Sequence, residues 1–154
     1  MSTKILAKQI MTKKVIVANT SNKPSQLIEF MTSYKIQHLP ISENDKLVGI
    51  VSINDLFKLV AKESANSNNV SYSNLDEKYS VGDFMTKNVT SVGENATLEE
   101  ILEILSIGNF QAIPVTENGE IKGIISNRDI VRVYDWKKNH REGNYSSDQA
   151  GFGV

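Results

Sequence analysis

A seven-residue stretch occurs twice in the chain, as Gly49-Ile50-Val51-Ser52-Ile53-Asn54-Asp55 and as Gly123-Ile124-Ile125-Ser126-Asn127-Arg128-Asp129, 74 positions apart. Met11 and Met85, Thr12 and Thr86, and Pro40 and Pro114 keep the same offset, so the copies align without a gap. Between residues 36–56 and 110–130, eight of 21 positions are identical, where a chance pairing gives about one. The chain is an internal duplication, and its fold must be assembled from two like units.

Each stretch reads as a buried strand running into a helix. Glycine allows close backbone approach, two β-branched residues fill the strand, and serine stands where the strand stops. The aspartate three residues on lies in the first helical turn, on the serine's side. A hydroxyl, a carboxylate and free backbone N–H groups therefore converge at Ser52 and Asp55, and again at Ser126 and Asp129. The same pattern is also a capping box, in which serine and aspartate do no more than close the helix end. Both roles can coexist, because capping uses few of the carboxylate's lone pairs.

Upstream, Val15-Ile16-Val17-Ala18 is a strand-like run, and Pro24 stands at a plausible first helical position before Leu27, Ile28, Met31 and Tyr34, which recur at helical spacing. Residues 37–41 and 46–51 flank Glu43-Asn44-Asp45 as two strands joined by a tight turn, and Leu56, Leu59 and Val60 form the apolar stripe of the helix that follows. The second copy repeats this order. Its first long helix opens on Thr97-Leu98-Glu99-Glu100, a capping box, with Leu98, Ile101, Leu102 and Leu105 expected inward, and its hairpin turns on Asn118-Gly119. Three strands and two helices cannot hide an apolar sheet face alone, so the two halves are expected to pack sheet to sheet.

The 154 residues contain no cysteine, which removes disulfides, thiolate nucleophiles and cysteine-based metal sites. A net charge of −1 gives no global pull towards nucleic acid. No continuous apolar run marks a leader or a membrane span, so a cytoplasmic, soluble protein is expected. Eight of the eleven residues from Ser64 to Asn74 are Ser or Asn, a composition expected to remain an unfolded linker. The last helix is expected to run on through the basic stretch Asp135–Arg141, ahead of a disordered tail from Gly143 to Val154.

Two copies of strand, helix, strand, strand, helix resemble a tandem pair of cystathionine-β-synthase (CBS) domains. Each opens on Met-Thr, carries Pro40 or Pro114 centrally and closes on Gly-apolar-apolar-Ser-x-x-Asp, and the resemblance runs from about Leu6 to Tyr134. It implies an α+β fold (mixed α/β) of two pseudo-twofold-related β-α-β-β-α motifs packed through their sheets, known as a Bateman module. The motifs would span 6–62 and 79–135, with a linker over 63–78 and a basic helix end and tail over 136–154.

The family also implies two clefts that take an adenosine-containing ligand, AMP, ADP, ATP or S-adenosylmethionine. It further implies a homodimer, no covalent cofactor, no metal and no catalysis, with regulation of a partner protein in trans. By the same resemblance Ser52, Asp55, Ser126 and Asp129 would bind ribose. Lys13, Val15, Ile16 and Val17, with Lys87, Val89 and Thr90, would line adenine, and Arg128 and His38 would stand on the phosphate side. Since Asn54 and Ala112 replace that arginine and histidine in the other cleft, the cleft of Asp129 is expected to prefer a phosphorylated adenosine, and that of Asp55 to bind more weakly or take a less anionic derivative.

Two other readings stand beside this one. A scaffold with vestigial clefts would bind no ligand. A nucleic-acid accessory protein would use the basic stretch around Trp136.

Overall fold

The computed structural model describes residues 4–109, 111–140 and 143–148. Two compact units emerge. One holds Ile16–Val89, and the other joins the residues up to Val15 with those from Thr90 onward.

The first unit contains β1 (Ala18–Asn19), α1 (Pro24–Tyr34), β2 (His38–Glu43), β3 (Lys46–Ser52), α2 (Ile53–Asn66) and α3 (Tyr72–Lys78). Its three-stranded sheet has the order β1-β2-β3, the first pair parallel and the second antiparallel. The β2–β3 hairpin closes on Asn44 and Asp45, whose φ angles of 50° and 62° are those of a type I′ turn. Pro24 takes the first helical position of α1, as expected. Leu27, Met31, Leu39, Ile41, Val51 and Leu56 form one buried cluster, but Tyr34, the last residue of α1, is 53% exposed.

The second unit contains α4 (Ala7–Ile10), α5 (Leu98–Ile107), β4 (Ala112–Glu117), β5 (Glu120–Ser126) and α6 (Asn127–Asn139). Its antiparallel hairpin turns at Asn118 and Gly119, with φ of 52° and 80°. Val92 makes one parallel bridge to Val115 in place of the β1 pairing. Leu98 and Ile101 are buried as expected, whereas Leu102 is 42% exposed and Ile104 packs on the core instead.

The units are not cut where the repeats are cut. Thr12 exchanges backbone hydrogen bonds with Ile124, at 2.9 and 3.1 Å, and Thr86 does the same with Ile50, at 2.9 and 3.0 Å. The Met-Thr lead-in of each repeat thus lies on the last strand of the other repeat. The two glycines permit it: a methyl group at Gly123 would collide with Met11, and one at Gly49 with Met85. Ile5, Ala7, Ile10 and Met11 accordingly join the core of Ile113, Val115, Ile125 and Val133, while Val81, Phe84 and Met85 join that of the first unit.

Two expectations are corrected. The Ser/Asn-rich linker is not unfolded, because α2 runs to Asn66 and α3 begins at Tyr72. Leu75 is buried, and Asp76 accepts from the backbone N–H and hydroxyl of Ser25 at 2.9 and 2.6 Å. Glu63, 1% exposed, accepts from Lys78 at 2.5 Å and from the Tyr79 hydroxyl at 3.2 Å. The Lys78 bond holds the Glu63 carboxyl below its usual range. Composition misleads here because one leucine and three pairing side chains suffice once a neighbouring helix supplies their partners.

The tail is also ordered over residues 143–148, where Tyr145 is 1% exposed in the second core. The helix before it ends at Asn139, while Arg141 and the tail beyond Asp148 lie outside the described residues. Trp136 stacks on His140 at 5.1 Å between ring centroids and meets the Tyr145 ring edge-on at 5.5 Å, so its faces are engaged internally.

Candidate functional site

Strand β3 delivers Ser52 to the start of α2, and β5 delivers Ser126 to the start of α6. In the first unit the backbone N–H and hydroxyl of Ser52 both donate to Oδ2 of Asp55, at 2.7 and 3.0 Å. The Asp55 N–H returns a bond to the serine oxygen at 3.2 Å, so the capping box is complete. Oδ1 of Asp55 has no hydrogen-bond partner among the described residues, and the residue is half-buried. One carboxylate oxygen is spent on the helix end, and the other is available.

His38 stands directly across the β2–β3 ladder from Ser52. Burial lowers its pKa below the ordinary value of 6.5, and the negative charge of Asp55 opposes that shift. The structure therefore brings His38 to the serine and aspartate of its own repeat. Of the expected adenine-lining residues, Ile16, Val17, Lys87 and Val89 fall in this unit. Ile16 and Val89 are half-buried, while Val17 and Lys87 are exposed.

The second site is held more tightly. Ser126 donates from its N–H and hydroxyl to Oδ2 of Asp129, at 2.7 and 3.0 Å. Oδ1 accepts from the Thr12 hydroxyl at 3.2 Å and lies 3.7 Å from a guanidinium nitrogen of Arg132. Both oxygens are engaged and Asp129 is 4% exposed. Ala112 takes the position opposite Ser126. Lys13, Val15 and Thr90 belong to this unit, and so does Arg128, which is exposed in the first turn of α6 with no ion-pair partner among the described residues. A helix N-terminus with a free guanidinium is a favourable place for an anion.

Thr12 and Arg132 carry no role in the sequence reading. The threonine had a visible signal, since Thr12 and Thr86 share the repeat offset. Only the crossing of the lead-in explains why its hydroxyl reaches an aspartate of the other repeat. The Thr86 hydroxyl, its counterpart, has no hydrogen-bond partner among the described residues.

The chain matches the CBS domain family over residues 7–62 and 81–135. Among solved structures, the CBS domain pair of protein MJ0100, in complex with 5′-methylthioadenosine and S-adenosyl-L-methionine, is 26% identical with a TM-score of 0.74, covering 88% of this chain and 99% of that one. CBSX2 from Arabidopsis thaliana, in complex with AMP, is 26% identical with a TM-score of 0.72 over 87% of this chain and 98% of that one. L-aspartate semialdehyde sulfurtransferase of Methanocaldococcus jannaschii is 27% identical over 135 residues, 86% of this chain. The chain spans only 24% to 45% of the length of three such curated relatives. With two motifs matched, a mixed helix and strand fold in common with solved CBS pairs, and a Ser-x-x-Asp at each strand end, this chain belongs to the CBS domain family.

Proposed function

We propose that this chain is a non-catalytic regulatory module that binds adenosine-containing ligands through Asp55 and Asp129 and passes the binding on to a partner protein in trans. The observation that carries the reading is Oδ1 of Asp55, which has no hydrogen-bond partner among the described residues and stands beside a serine at a helix N-terminus. An ionised carboxylate can accept from both hydroxyls of a ribose, through bonds about twice as strong as neutral ones. The ligands of MJ0100 and CBSX2, S-adenosyl-L-methionine with 5′-methylthioadenosine and AMP, support an adenosine class.

The two sites differ in charge. Arg128 and Lys13 lie in the unit of Asp129, which favours a phosphorylated ligand such as AMP there, while the Asp55 site with His38 favours a less anionic derivative such as 5′-methylthioadenosine. Thermal shift with AMP, ADP, ATP, S-adenosylmethionine and 5′-methylthioadenosine tests this on the wild type, Asp55→Ala and Asp129→Ala. Ligand at a hundred times its Kd adds about 2.7 kcal/mol, or several degrees. The expected pattern is loss of the 5′-methylthioadenosine shift in Asp55→Ala and of the AMP shift in Asp129→Ala. No shift from any of them in a protein that melts cooperatively would leave a scaffold.

A homodimer is part of the same reading. Phe57 on α2 and Val131 on α6 hold equivalent positions and are 66% and 65% exposed, and Tyr134 adds 71%. Apolar side chains repeated on both closing helices fit a second copy of the chain. Light scattering on Phe57→Ser is expected to give a monomer, and an unchanged dimer would remove these helices from the interface.

A further inference from the structure

Residues 143–148 lie beyond both repeats, yet they fasten onto the segment that carries Thr12. Ser147 donates from its N–H to the Gln9 carbonyl at 3.0 Å and from its hydroxyl to the Met11 carbonyl at 3.1 Å. Gln9 donates to the Tyr145 carbonyl at 3.2 Å, and Lys13 pairs with Asp148 at 2.8 Å. Gly143, at φ 136°, lets the chain turn beside Trp136, whose ring would stand 3.4 Å from any added Cβ. Three consecutive residues thus tie the tail to the site: Met11 anchors Ser147, Thr12 holds Asp129, and Lys13 holds Asp148.

The docked tail is held with one fault in it. The Tyr145 ring is buried in the core, but its hydroxyl is buried with no hydrogen-bond partner among the described residues. Burial raises the pKa of that hydroxyl, the charge of Asp129 raises it further and Arg132 lowers it, so the group lies in the field of the site. A buried donor with no partner there offsets part of the gain from burying the ring and makes release of the tail easier than the bonds at Ser147 and Lys13 alone imply.

We propose that residues 143–148 are a latch on the Asp129 site, with the Asp148 carboxylate standing in at Lys13 for the phosphate of an incoming ligand. This rests on the reading of Asp129 as a ribose-binding residue. A ribose that takes Oδ1 of Asp129 displaces the Thr12 hydroxyl, and a phosphate that takes Lys13 displaces Asp148. Both events act on the lead-in segment, Gln9 to Lys13, to which Ser147 is bound, so an anionic adenosine ligand and the docked tail compete. Linkage then requires the reverse: whatever loosens the tail tightens the ligand by the same factor.

Trp136 is the one tryptophan in the chain and meets the Tyr145 ring edge-on, so its fluorescence reports the latch directly. AMP and adenosine are titrated into the full chain by calorimetry and by tryptophan emission, for the wild type, Asp148→Asn and Asp129→Asn. AMP should change the emission of the wild type, and this change should vanish in Asp129→Asn. Asp148→Asn should bind AMP about fivefold more tightly, the size set by an exposed ion pair, and adenosine more tightly by a smaller factor, since only its ribose competes with the tail. AMP binding with unchanged emission and equal affinity in Asp148→Asn would overturn the latch while leaving the Asp129 site standing. Absence of any AMP binding would remove both.

Discussion

The Thr12 hydroxyl donates to Oδ1 of Asp129 across 3.2 Å, although 117 positions separate the two residues. The bond exists because the lead-in of one repeat lies on the closing strand of the other, with Thr12 and Ile124 paired through their backbones. It makes the two sites unlike each other in spite of their common sequence pattern. Asp129 is buried and engaged at both oxygens, whereas Asp55 is half-buried with one oxygen free of hydrogen bonds among the described residues.

Thr12→Val should therefore destabilise the protein by about 1.5 kcal/mol, the worth of a hydrogen bond to a charged group. Thr86→Val should change stability by less than about 0.5 kcal/mol, because its hydroxyl has no partner to lose among the described residues. Urea denaturation of the two variants side by side checks this, and equal losses would mean that Thr12 and Asp129 are not coupled in solution.

Gly123→Ala should be worse than Gly49→Ala. A methyl at Gly123 would fall on the Met11 sulfur and lie 2.7 Å from its Cγ and 2.9 Å from its Cβ, and Cβ cannot swing away. At Gly49 the sulfur and Cγ of Met85, the latter at 3.0 Å, can rotate aside, and the fixed neighbour is the Thr86 carbonyl oxygen at 3.1 Å, farther off than the Met11 Cβ is at Gly123. Overpacking of this kind costs about 1 to 3 kcal/mol, with Gly123 at the upper end. Combining Gly123→Ala with Met11→Ala should cost less than the sum of the single changes, and strict additivity would place the lead-in elsewhere.

Asp76→Ala should lower stability by about 1 kcal/mol, since it leaves the Ser25 N–H in the first turn of α1 without its acceptor. The expected change in Tm is about 3 °C. If the Ser/Asn-rich connection were only a tether, as its composition implies, the substitution would leave Tm unchanged.

What the sequence made legible follows from local patterning. The period-two runs ending at Ser52 and Ser126, the proline opening α1, the Asn-Gly turn and the serine–aspartate caps all depend on residues a few positions apart, and each was readable. The exchange of lead-ins was not, because Met-Thr is equally compatible with either repeat's final strand. Helix α3 and the docked tail were missed for the reverse reason. Leu75, Asp76, Glu63 and Tyr145 gain their partners from distant segments, and polar composition around them hides that. The cap reading of Ser-x-x-Asp holds at Asp55 and leaves room for the proposed ribose role, because the cap takes a single carboxylate oxygen.

His38 supplies a pH-dependent test of that first site. Burial lowers its pKa below 6.5 and Asp55 partly offsets the shift, so the folded chain takes up this proton less readily than the unfolded chain. Stability linked to His38 is complete above about pH 6.5, falls as the unfolded state gains its proton first, and levels off once the pH lies below the folded value. The slope is positive with pH because the unfolded state binds more protons across that window. In His140→Gln, which leaves His38 as the one histidine, the ring protons should titrate below 6.5 by NMR. Adding Asp55→Asn should move the midpoint lower still, because the carboxylate that favours the imidazolium is gone. A midpoint that stays put would separate His38 from Asp55 electrostatically, and one at the ordinary value of 6.5 with and without Asp55→Asn would make His38 a solvated residue with no part in the site.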